Sequence, residues 1–155
     1  MRYIFIVTLF CICTSTLNAQ GHFPLTKSDS IQLQHFKTFS NKFFIAVKKN
    51  DTAFLKQHIL FPITHHTFFY LDPSLGSKPI SSKIFFKKLS KLFDEEYINN
   101  ILKGQAEFSI YDVNKEARFM ISIYHETDGI DSNVNWHFKQ QQGEFYFYTY
   151  TAEAG

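Results

Sequence analysis

Histidines and a run of tyrosines are the residues of this chain best suited to chemistry. It has 7 histidines, two of them adjacent as His65 and His66. Imidazole binds zinc well, but a site needs three or four converging ligands. Neighbours on an extended segment point to opposite sides, so this pair does not converge on one ion. No HxH, HExxH or CxxC spacing occurs, and neither a metal site nor a cofactor is expected. Acid–base work needs a carboxylate or imidazole held where desolvation shifts its pKa. Asp112 and His125 are the two candidates, each at the end of an alternating segment where a sheet rim would open. A nucleophile elbow, a phosphate loop and a dinucleotide fingerprint are all missing from the sequence.

Three of the 8 tyrosines lie in "EFYFYTYT" near the C-terminus. One parity reads Phe145, Phe147, Thr149, Thr151; the other reads Tyr146, Tyr148, Tyr150. A half-buried strand normally has one apolar and one polar face. The phenylalanine parity is therefore expected to face a core and the tyrosine parity to face outward. Tyrosine suits such a place because its ring packs while its hydroxyl stays wet.

The elements that must position these residues follow from periodicity. "SIQLQHFKTFSNKFFIAVKKN" carries Leu33, Phe36, Phe39, Phe43, Ala46 and Val47 at steps of three and four, which predicts an amphipathic helix. Ser28, Asp29 and Ser30 are good N-caps, and Lys48 and Lys49 suit the C-terminal dipole. Asn50-Asp51-Thr52 matches the N-glycosylation pattern, but its simpler role is a break, with Asp51 or Thr52 capping a second short helix. "LFPITHHTFFYLD" reads as an irregular extended stretch or a short strand pair, and "PSLGSKP" as a loop. Ser81 or Ser82 caps a third helix with Phe85, Leu89 and Leu92 on one side. The lysines of "KKLSK" read as a solvated face rather than an anion-reading patch, because Asp94, Glu95 and Glu96 follow directly. Those acids begin an extension or a fourth helix that Gly104 stops.

From Gln105 the period becomes two. Phe108/Ile110, Phe119/Ile121/Ile123, Val134/Trp136/Phe138 and Phe145/Phe147 share one parity in four segments separated by "NKE", "TDGID" and "QQG". Four strands on short turns predict an antiparallel meander. Helices first and strands after is the α+β arrangement, with the helices on one sheet face. The outward parity then carries Tyr111, Met120, Tyr124, His137, Tyr146, Tyr148 and Tyr150.

The first nineteen residues stand apart. Arg2 precedes an apolar run from Tyr3 to Cys13, then small and polar residues end in Ala19, the layout of a cleaved secretory signal. The run is shorter than the ~20 residues that span a bilayer. The expected mature chain is a single domain over residues 20–155, secreted or periplasmic, with no membrane attachment after cleavage. Cys11 and Cys13 leave with the signal, so the mature chain has no disulfide. Loss of Arg2 lowers the net charge from +2 to +1, which gives no electrostatic case for nucleic acid.

The stretch "FFIAVKKNDTAFLKQHILFPI", followed by "ISSKIFFKKLSKLFDEEYINNIL" and the meander, resembles the small exported proteins of the NTF2-like superfamily over roughly residues 30–151. The resemblance implies a cone in which helices pack on a curved sheet. It implies no particular chemistry, since that superfamily includes isomerases, dehydratases, ligand-binding modules and interaction domains. Two uses follow for the residues above. Phe108, Phe119, Trp136 and Phe145 would line any ligand space inside the cone, for a small apolar ligand. Tyr124, Tyr146, Tyr148, Tyr150 and His137 would form an outer surface for a protein partner, including a sheet-to-sheet homodimer, or for a stacked sugar. Non-catalytic binding is the expected role; the alternative is a small isomerase- or hydrolase-type enzyme using Asp112 or His125 at the rim.

Overall fold

The computed structural model describes residues 26–63, 79–114, 116–127 and 130–154, with the side chains of residues 91, 125–127, 130–132 and 153–154 outside that description. The secretory-signal reading and the His65-His66 pair therefore lie outside the described residues. Among those described, no helix is long and apolar enough to cross a membrane.

Helix α1 spans Lys27–Lys49 and buries Phe36, Ser40, Phe43, Phe44 and Val47 along one side. Of the expected stripe, Phe36, Phe43, Ala46 and Val47 are buried and Leu33 and Phe39 are half-buried, with Ser40 and Phe44 added. Its start lies earlier than expected. Thr26 is the N-cap, its hydroxyl accepts from the Asp29 amide, and the Asp29 carboxylate accepts from the Thr26 amide. This reciprocal pair satisfies two otherwise orphaned donors at once, so it outcompetes the three later caps. At the other end Asn50 turns left-handed at φ 54°, a conformation asparagine tolerates. Asp51 then caps α2, Thr52–Gln57, by accepting from the Phe54 amide.

The lysine-rich helix is divided. α3 covers Ser82–Lys87 and α4 covers Leu89–Leu92, with Lys88 between them. Phe85, Leu89 and Leu92 all remain buried, so the apolar stripe survives the break. α5, Glu95–Leu102, is capped by Asp94, whose carboxylate accepts from the Glu96 amide. Gly104 follows at φ 78°, where a side chain would be strained.

The strands are β1 Glu107–Val113, β2 Glu116–Thr127, β3 Ile130–Gln141 and β4 Glu144–Ala154. They pair antiparallel in the order β1-β2-β3-β4 in a curved, unclosed sheet with the helices packed on it, an α+β fold. The β3–β4 hairpin turns on Gln142 and Gly143, both at positive φ (52° and 86°), the twist-matched two-residue turn that strands prefer. The free edge of β4 is partly covered. Leu60 donates to the Phe147 carbonyl and Phe147 donates to the His58 carbonyl, both at 2.9 Å, so the chain leaving α2 blunts that edge.

The inward parity is as expected. Phe119, Ile121, Ile123, Val134, Trp136, Phe138, Phe145 and Phe147 are buried, and Phe108 and Ile110 are half-buried against them. The outward assignment of Tyr150 is corrected: its side chain is 2% exposed and packs in the core. The cause is a β-bulge. Phe147 pairs with Phe138 and Thr149 with His137, leaving Tyr148 as the extra residue. One extra residue shifts the parity of everything after it. Tyr150 therefore pairs with Trp136 and turns inward, while Thr149 and Thr151 turn outward. With Tyr148 set aside, β4 alternates from Phe145 to Ala152.

Candidate functional site

The interior between helices and sheet is occupied. Phe36 is fully buried. Its ring centroid lies 6.0 Å from that of Phe108, 5.0 Å from Phe119, 5.2 Å from Phe138 and 5.3 Å from Phe145. Trp136 lies edge-on to Phe44 at 5.8 Å and Tyr150 at 5.7 Å. The four residues assigned to an apolar ligand space thus belong to one packed ring network, Trp136 being joined to the Phe36 group through Phe44, Phe43 and Phe138. Phe108 alone of the four lines a described hollow, a shallow one of about 210 Å3 bordered also by Lys37, Asn41 and Leu102. The Lys37 ammonium lies 5.4 Å from the Phe108 ring centroid, so this margin is a cation–π contact at the surface.

The rim residues do not come together. Asp112 is exposed and lies opposite Ala117. The backbone of His125 lies opposite Ser132, and its side chain is outside the described residues. No group of three or more metal-ligating side chains occurs among the described residues.

The outer sheet face does form a connected site. Tyr111 on β1 and Tyr148 on β4 are separated by two strands, which at ~4.8 Å per strand puts their backbones about 14 Å apart. Their hydroxyls nevertheless meet at 3.3 Å. The two side chains must therefore lie down across β2 and β3 rather than stand up from the sheet. Beneath them, His137 Nδ1 is 2.8 Å from the Tyr111 hydroxyl and His137 Nε2 is 2.9 Å from Thr151 Oγ1. Either neutral tautomer completes this chain. One ring nitrogen donates and the other accepts, and the hydroxyls of Tyr111 and Thr151 turn to match.

Protonation follows from cover. Burial holds His137 below the ordinary histidine range, so the imidazole is neutral at physiological pH. Burial, reinforced by the hydrogen bond with Tyr148, pushes the Tyr111 hydroxyl well above the ordinary tyrosine range. It stays protonated as a donor. Arg118 lies with its guanidinium 5.4 Å from the Tyr148 ring centroid and donates to Glu116 Oε2 at 2.6 Å. Two further polar atoms of the site, Ser109 Oγ and Asn133 Oδ1, are buried without a hydrogen-bond partner. Each such orphan costs about 1–3 kcal/mol.

Of the five residues expected to form the outer surface, His137, Tyr146 and Tyr148 are half-buried on it and Tyr124 is exposed near its end. Tyr150 is absent from it for the reason given above. The hydrogen-bonded pairing of Tyr111 with His137 and of His137 with Thr151 was not anticipated. Its one sequence-level signal is the outward parity shared by Tyr111 and His137. Family models, curated proteins and solved structures give no match to this chain.

Proposed function

We propose that this is an exported, non-catalytic binding module of NTF2-like build, and that its outer sheet face engages a second copy of the chain. The carrying observation is the contrast between the two sides of the sheet. The helix side is filled by Phe36 and the rings around it, which leaves little room there for a small apolar ligand. The outer side presents flat-lying tyrosines, a stacked guanidinium and a neutral imidazole. Aromatic and arginine side chains of this kind are favoured at interface cores. Four strands at ~4.8 Å spacing and about ten residues at ~3.3 Å give a face of roughly 600 Å2. A standard interface buries ~800 Å2 per partner, so this face is of sufficient order for a concentration-dependent dimer. An acid–base role has less support, because Asp112 is exposed at a strand end.

The test is solution mass by light scattering over a hundredfold concentration range, for wild type and for Tyr148→Glu. Wild type is expected to shift toward twice the chain mass while Tyr148→Glu stays monomeric. A monomer at every concentration for both proteins would remove the self-association reading.

A further inference from the structure

We propose that the groove between the C-terminal end of α1 and helices α3–α5 binds an amphiphilic anion, a carboxylate carrying an unbranched alkyl chain. The groove is separate from the outer sheet face and contains no sheet residue among its lining. Its volume, about 530 Å3, falls in the ~300–1,000 Å3 range of small-molecule sites.

Its chemistry is two-part. The apolar portion comes from Val47, Leu89, Phe93 and Ile98, all buried core members that show their edges to the groove, and from half-buried Phe86. The rim is cationic. Lys48 and Lys87 line it and are exposed. The Lys48 ammonium donates to Asn99 Oδ1 at 2.9 Å, which holds it in place. Outside the lining, the Lys56 ammonium lies 5.7 Å from the centroid of the Phe86 ring. Within the lining two cations, Lys48 and Lys87, stand against one carboxylate, Glu95. An apolar floor alone would admit any hydrocarbon. The excess of positive charge selects an anionic head, and the floor selects a chain attached to it.

Calorimetric titration of the full mature chain with octanoate, decanoate and dodecanoate, each below its micelle concentration, tests this. Each buried methylene contributes about 0.8 kcal/mol, so affinity should rise roughly fourfold per carbon. Dodecyltrimethylammonium should bind at least tenfold more weakly than dodecanoate. Lys87→Glu should weaken dodecanoate at least tenfold while leaving the ligand-free melting temperature in place. Ser90→Trp, an exposed lining position, should obstruct the groove and abolish binding. Tyr148→Glu should have no effect, which separates this site from the outer face. Affinity independent of chain length, equal binding of the cationic surfactant, or wild-type affinity in both groove variants would overturn the proposal.

Discussion

At the scale of single residues, His137 shows how position sets chemistry. Its half-buried ring lies among Tyr111, Tyr148 and Thr151, and its partial burial lowers its pKa. The sign follows by linkage. The unfolded imidazole takes up a proton near pH ~6.5, while the folded one resists until a lower pH. The unfolded state therefore binds more protons in that window, and stability falls as pH drops through it. Urea unfolding at pH 7.5 and pH 5.0 should show this loss in the wild type. His137→Gln should show a smaller loss between the same two pH values, even if it is less stable at both. An equal loss in the two proteins would mean that His137 is not the titrating group.

At the scale of elements, the β4 bulge decides which tyrosines are available. Tyr148 is the extra residue, and its ring is the one that reaches Tyr111 and Arg118. Deleting Tyr148 would leave Phe147 opposite Phe138, Thr149 opposite His137 and Tyr150 opposite Trp136. Every inward residue stays inward. The expected outcome is a folded sheet that has lost about 1–2 kcal/mol, with the outer-face tyrosine contact gone. Tyr150→Glu is expected to behave in the opposite way. It would place a carboxylate among Trp136 and its neighbours and cost upwards of ~3 kcal/mol. Far-ultraviolet circular dichroism and thermal melts of the two variants would separate them. A more severe defect in the deletion than in Tyr150→Glu would contradict this account of the bulge.

At the scale of the whole molecule, the fold is held by one helix laid across one sheet. Phe36, Phe39 and Phe43 of α1 each contact Phe138 of β3, and the same surface reaches Phe85 and Phe93 through Phe147. Aromatic pairs at these separations contribute beyond their buried area. A single continuous ring network should make unfolding cooperative. Phe36→Ala removes the central ring and should cost about 3–5 kcal/mol, read as a lower denaturant midpoint in one transition. Two separate transitions in the wild type would show that helices and sheet are independently stable.

The periodicities alone determined the α+β class, the helix stripe, the four strands and the inward set from Phe108 to Phe147. Burial of alternating bulky residues leaves one register open, and that constraint is local to each segment. The break at Lys88 was not legible, because the stripe through Phe85, Leu89 and Leu92 continues across it. Nor was Thr26, since Ser28, Asp29 and Ser30 are each acceptable caps and only reciprocal geometry separates them. The tyrosine parity failed after Phe147 for a similar reason. A bulge is a property of two strands together, set where β3 and the chain leaving α2 both meet β4, and one strand's alternation does not contain it. Tertiary structure alone decided that Tyr150 joins the core, that Tyr111 and Tyr148 lie across the sheet to meet, and that Lys48 and Lys87 from two helices border one groove. Each of these depends on distances between segments far apart in the chain, which side-chain order along it does not encode.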